Sequence, residues 1–132
     1  MTVVLDSSGW IELLSGSSRA RLYQPALRAG RLLVPAIVRY EVGRYTLTQG
    51  GKSAMELALR ALSRFEFIPM DENLADSAAC LAHQHKFSMA DAFVYATAQF
   101  VQGELWTQDS HFATLPRVKF FSKAGLTVGD AV

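Results

Sequence analysis

Short, wholly apolar runs alternate along the chain with longer stretches whose apolar residues recur every three or four positions. Thr2-Val3-Val4-Leu5 is β-branched and apolar, as a strand buried on both faces requires. Trp10, Ile11, Leu13 and Leu14 then fall at helical spacing, and Gly16-Ser17-Ser18 ends that helix. A second helix is expected over about Arg19 to Ala29, with Pro25 inside it and Gly30 closing it as a C-terminal glycine. Arg31 to Val34 reads as the next strand, and Pro35 suits the first position of the following helix, where its missing N–H is not needed. That helix turns Val38, Val42 and Tyr45 inward and stops near Gly50-Gly51, and Met55, Leu57, Ala58, Ala61 and Leu62 mark another.

Phe65 to Ile68 is a third short strand, ended by Pro69. Asp71 is placed to cap a helix with Leu74, Ala78, Leu81 and Ala82 on its inner face. Ser88 caps the next, which faces Phe93, Val94, Thr97, Ala98 and Val101 inward and stops at Gly103. Glu104 to Thr107 and Val118 to Phe121 complete the strands. Strands that alternate with helices imply a parallel sheet covered on both sides by right-handed crossovers. The expected fold is a three-layer α/β/α domain with a central parallel sheet of four to five strands, a single unit over residues 1–132.

In such sheets ligands bind outside the carboxyl ends of the strands, and four acids fall there. Asp6 directly follows the first strand, and Asp109 comes two residues after the fourth. Asp91 lies in the first turn of its helix, and Glu41 lies about two turns into the helix that leaves the second strand, within reach through its longer side chain. Apolar neighbours surround Asp6, Glu41 and Asp91, so the carboxylates are poorly solvated and repel one another. A hard divalent cation relieves both penalties. Oxygen ligands suit magnesium or manganese, and the lack of paired Cys and His ligands argues against zinc. Each acid also has a separate local explanation. Ser88-Met89-Ala90-Asp91 matches a capping box, Asp6 and Asp109 can cap helices, and Glu41 can be a solvated helix residue. One metal site accounts for all four together.

Composition narrows the class. Half of the 132 residues are hydrophobic, enough for a buried core in one domain. The longest apolar run, Leu32 to Val38, is seven residues and holds Pro35, far from the roughly 20 needed to span a bilayer. Met1 to Leu5 lacks the basic start and cleavage site of a signal peptide, and the lone Cys80 allows no disulfide framework. A cytoplasmic protein is expected. The net charge of +1 changes meaning once four acids share a pocket. The rest of the chain then carries 13 basic residues against 8 acids, a balance of +5 that permits a nucleic-acid partner.

The segments that carry these acids resemble the PIN-domain nucleases, and among them the VapC-type toxins of bacterial toxin–antitoxin pairs. Val4-Leu5-Asp6-Ser7-Ser8 resembles the family's first acid, with Ser7 where threonine is commoner. Val34-Pro35-Ala36-Ile37-Val38-Arg39-Tyr40-Glu41-Val42 resembles the second, and Ser88 through Ala98 is the most specific match, a helix with an acid in its first turn. Leu105-Trp106-Thr107-Gln108-Asp109-Ser110-His111-Phe112 resembles the fourth, the family's most variable acid. The segments keep the family's order and span essentially the whole chain. The resemblance implies an endoribonuclease that cuts RNA with metal-activated water, Asp6, Glu41, Asp91 and Asp109 being both catalytic and metal-binding. Ser7 and Thr107 are the supporting groups, and Arg39 and Arg44 are candidate phosphate contacts beside the simpler reading of a solvated face. It further implies a cognate antitoxin that covers the acidic pocket, and a homodimer. Trp10, Ile11, Leu14, Leu22 and Tyr23 offer an apolar groove for the antitoxin, although core packing would use the same residues.

Other classes fit less well. A phosphoacceptor receiver or other regulatory α/β domain wants an acidic pair after the first strand and a lysine after the fifth; here Ser7-Ser8 follow Asp6, and Lys119 falls inside the strand. An aspartyl-nucleophile phosphatase wants a second aspartate where Ser8 stands. Gly51-Lys52-Ser53 copies the end of a phosphate-binding loop, but Thr46 replaces its first glycine. His83 and His85 lie two apart on a helix and do not face the same way. His111 reads as structural. A non-catalytic RNA-binding member of the same fold would have lost some of the four acids, and all are present.

Overall fold

β1 (Thr2–Leu5) lies at the centre of a five-stranded sheet in the computed structural model, which describes residues 1–123. The end of the domain expected over residues 1–132 lies outside the described residues. β2 (Arg31–Pro35) and β3 (Glu66–Ile68) extend the sheet on one side, and β4 (Glu104–Thr107) and β5 (Val118–Phe120) on the other. The order is β3-β2-β1-β4-β5, and every neighbouring pair is parallel. Val3, Val4 and Leu5 are fully buried, which explains the unbroken apolar run that opens the chain. From β1 the chain runs outward to β2 and β3, then crosses back to β4. The strand order therefore reverses between β1 and β4, and a crevice opens at their carboxyl ends. Leu5 pairs with Trp106, so the next residues, Asp6 and Thr107, sit side by side at that crevice.

Helices cover both faces. α1 (Ser7–Ser15) begins at Asp6, whose side chain accepts from Gly9 N, and ends at Gly16 in the left-handed region with φ 65°. A Cβ on Gly9 would stand 2.8 Å from the buried Tyr23 ring, so the glycine lets that ring pack against the first turn. The helix expected from Arg19 to Ala29 is shorter than predicted. α2 (Ala20–Tyr23) tightens into a 3-10 turn over Gln24–Arg28, because Pro25 has no N–H to continue the α-helical ladder. Gly30 is no left-handed cap either. The turn already closes at Ala29 in an extended conformation, and the backbone of Met1 passes 3.4 Å from where a Gly30 Cβ would stand. Pro35 ends β2, paired with Ile68, and holds the extended N-cap position instead of the first helical one.

α3 (Ala36–Leu62) is two helical halves joined at Gly51, whose φ of 81° and ψ of −173° only glycine adopts readily. Gly50-Gly51 predicts this break. Ile37, Val38, Val42 and Gly43 are buried, but no later residue of the first half is; Tyr45, expected inward, is 45% exposed. α4 (Glu72–His85) starts at Asp71, which accepts from Leu74 N at 2.9 Å, and packs on α5 (Met89–Phe100). Ser88 caps α5 by accepting from Asp91 N at 3.2 Å. Trp10, Tyr23, Tyr95, Trp106 and Phe112 are the largest buried side chains of the core between these layers. Among the described residues no helix is long and apolar enough to cross a membrane.

Candidate active site

The crevice beside β1 and β4 is a cleft of about 640 Å³, and Asp6, Glu41, Asp91 and Asp109 all line it. Four separate elements deliver these acids to one rim. Asp6 stands at the β1–α1 junction, Glu41 on α3 and Asp91 in the first turn of α5, while Asp109 begins the 3-10 turn Ser110–Phe112 after β4.

Asp6 is the deepest, only 8% exposed. Its Oδ1 accepts from Ser8 Oγ at 2.8 Å and from Gly9 N at 3.0 Å, and its Oδ2 accepts from Thr107 Oγ1. Burial raises its carboxyl above the ordinary range despite those three bonds, and Asp109 adds repulsion. A carboxylate offers about four lone-pair sites, so roughly one stays available toward the cleft. Thr107 is fully buried and also accepts from Asp109 N at 2.9 Å, which makes one hydroxyl the link between the first acid and the fourth. Asp109 in turn accepts from His111 N at 2.9 Å, the cap of its short turn.

Asp91 is not held as the sequence alone suggests. Ser88 Oγ takes its backbone N–H, but its carboxylate faces His111 Nδ1 at 3.1 Å. Burial raises the Asp91 carboxyl, the His111 bond offsets part of that, and Asp109 raises it further. The same bond, with the charges of Asp109 and Asp91, raises the His111 imidazole. His111 Nδ1 also lies 3.4 Å from Asp109 Oδ1, so Asp91, Asp109 and His111 present ligand atoms within 4.8 Å of one another. Glu41 is half-buried; burial raises its carboxyl, Ser7 offsets this in part, and Asp6, Asp91 and Asp109 raise it again.

This crowding has a measurable consequence. A carboxyl raised in the folded state contributes stability that is complete below its unfolded pKa and is lost as pH rises through the folded one. Glu41→Gln is therefore expected to melt a few degrees above the wild type in EDTA at about pH 8. The difference should vanish near pH 4. An equal or lower melting temperature at the higher pH would show that Glu41 carries no such strain.

Of the supporting residues, Thr107 bonds Asp6, whereas Ser7 lies by Glu41 and Ser8 serves Asp6. The sequence passes over Ser8 because a helix N-terminal serine has many local uses. It also reads His111 as structural, since the fold alone brings it 3.1 Å from an acid twenty positions away. Arg39 does not face the cleft; its guanidinium donates to Leu59 O and Ser63 Oγ, tying the second half of α3 to the first. Arg44 is exposed on a shallow pocket with Ser7 and Glu41, next to the acids. Lys119 stacks over the Trp106 ring at 4.2 Å and does not line the cleft, whereas Lys123, beyond β5, does. Of the five residues read as an apolar groove or as core, Trp10 and Tyr23 are core, 2% and 0% exposed, while Ile11 and Leu22 are partly buried and Leu14 is 39% exposed.

Comparison with known proteins follows the same lines. The family model for the PIN domain matches residues 3–118. A toxin–antitoxin complex from Klebsiella pneumoniae is similar in structure with TM-score 0.76 and 26% identity, over 89% of this chain and 95% of that one. VapBC2 from Rickettsia felis, bound to a DNA fragment from its promoter, gives 0.75 and 15% over 92% and 100% of the two chains. VapC20 of Mycobacterium tuberculosis, a Sarcin-Ricin loop cleaving toxin, gives 0.72 and 16% over 86% and 95%. The last two are likenesses of fold. No curated protein matches the sequence.

Proposed function

The chain belongs to the PIN-domain family, and from that premise we propose that it is a magnesium- or manganese-dependent endoribonuclease, the toxin of a toxin–antitoxin pair. The observation that carries this reading is the convergence of Asp6, Glu41, Asp91 and Asp109 on one cleft at the switch point of the sheet. Four carboxylates, three of them raised by burial, fit a hard cation better than they fit one another. When bound, the ion supplies Lewis acidity that ionises a water near neutral pH and neutralises charge at phosphorus.

The chain's own residues do the rest. Asp6, Glu41, Asp91 and Asp109 would hold the ion, Asp6 being the most buried of the four. Thr107 and Ser8 fix the Asp6 carboxylate so that it does not rotate away. His111 is the basic group next to Asp91 and Asp109 and is exposed, placed to meet a substrate phosphate as well as the acids. Arg44, beside Glu41, suits the RNA backbone on the adjoining surface.

RNA, an antitoxin and a second copy of the chain are the proposed partners. For the antitoxin, a groove of about 530 Å³ along α3 is the better surface. Tyr40, Leu47 and Phe67 expose apolar area there between Arg39 and Arg44, and Tyr40 and Arg44 continue the surface to Ser7 and Glu41. Expression in a bacterial host tests the toxin role. Growth arrest by the wild type and normal growth with Asp6→Ala are expected. Unimpaired growth with soluble wild-type protein, and no antitoxin present, would count against a toxin.

A further inference from the structure

Behind the wall of the cleft lies a buried cation that the chemistry above does not use. Arg19, at the start of α2, is 8% exposed. Its Nε donates to Gln108 Oε1 at 2.6 Å, and a terminal nitrogen donates to the carbonyls of Phe121 and Ser122 at 3.3 and 3.4 Å. Gln108 Nε2 donates to Glu12 Oε2 at 3.1 Å, and that oxygen lies 3.7 Å from Arg19 Nε. Ser17 Oγ donates to the other Glu12 oxygen at 2.9 Å. The guanidinium, the amide and the carboxylate therefore pair with one another, and the guanidinium also reaches the backbone beyond β5.

What this group grips is informative. Gln108 stands between Thr107, which bonds Asp6, and Asp109. Phe121 N donates to Thr107 O at 2.9 Å, so the exit of β5 and the exit of β4 are already joined by backbone. Arg19 joins them a second time, through side chains, and anchors both to α1 through Glu12. Burying an ion pair is weak ground for stability, because apolar residues of similar volume often serve as well. Its bonds do fix direction, and here the direction fixed is that of the segment carrying two of the site's groups.

We propose that Arg19 is a positioning residue: acting through Gln108, it sets the placement of Thr107 and Asp109, and through Thr107 that of Asp6, for a divalent cation. This rests on reading the cleft as a metal site. Gln108 transmits the effect, its side chain being engaged by Arg19 and Glu12.

Binding of Mn²⁺ alone to the purified full chain, followed by electron paramagnetic resonance, is the test, since it needs no RNA. Gln108→Leu and Arg19→Met are each expected to weaken Mn²⁺ binding by about 10-fold, the scale of losing an outer partner of a metal site. Combining them should add little, because both break the same link, and Arg19→Lys should recover part of the loss. Gln108→Leu decides alone if Arg19→Met does not fold. Affinities within twofold of the wild type in the folded variants would overturn the inference and leave the metal site standing. Losses that multiply in the double variant would overturn the route through Gln108. A wild-type chain that binds no Mn²⁺ would overturn the metal site itself, and this inference with it.

Discussion

Asp91→Ala is expected to leave a folded protein whose RNA cleavage is slower by about 10³-fold or more, the scale of removing a charge-stabilising group from an active site. The structure separates the two roles that the sequence leaves joined in this residue. The cap of α5 uses the Asp91 backbone N–H, which alanine keeps, while the carboxylate points to His111 and the cleft. Truncation therefore removes a proposed cation ligand without removing a cap. It also removes a carboxyl that burial and Asp109 make costly to ionise, so the variant should melt close to the wild type in EDTA. Rates on total RNA and melting curves for the same preparations check both statements. A cleavage rate near that of the wild type would remove Asp91 from the site. A melting temperature lowered by the equivalent of about 1 kcal/mol would instead favour a capping role for the carboxylate.

The second large effect is expected at Thr107. Its fully buried hydroxyl donates to Asp6 and accepts from Asp109 N, so Thr107→Val strips a partner from two groups at once while keeping shape. Leaving buried polar groups without partners costs about 1–3 kcal/mol, and losing the group that orients a metal-binding carboxylate typically costs about 10–100-fold in affinity. Thr107→Val should therefore be less stable and bind Mn²⁺ at least 10-fold more weakly. Thr107→Ser, which keeps the hydroxyl, should bind nearly as the wild type does. Calorimetric titration of the three proteins reads this directly. Equal affinity in the valine variant would mean that Thr107 has no part in shaping the site.

Much of this architecture is written in local pattern. The β-branched run of β1, the glycine pair that breaks α3 and the serine that caps α5 each determine their element through neighbours a few positions away. The four acids are legible for a related reason. Asp6 and Asp109 follow strands, Asp91 opens a helix and Glu41 lies about two turns into one that leaves a strand; the pattern gives those positions, and a parallel sheet brings them to one edge. Contacts between distant segments leave no such trace. Nothing near His111 announces Asp91, and nothing near Arg19 announces Gln108, 89 positions further on. Pro35 and Gly30 mislead for the opposite reason. Proline fits a strand end as well as a helix start, and glycine admits a close backbone approach as readily as a left-handed turn.

The most direct test of the account is cleavage of total RNA by purified, antitoxin-free protein in magnesium or manganese and in EDTA, with Asp6→Ala alongside. Discrete fragments that need the metal and disappear both in EDTA and in the variant are expected. Cleavage that persists in EDTA or in Asp6→Ala, or no cleavage by folded protein in either metal, would contradict it.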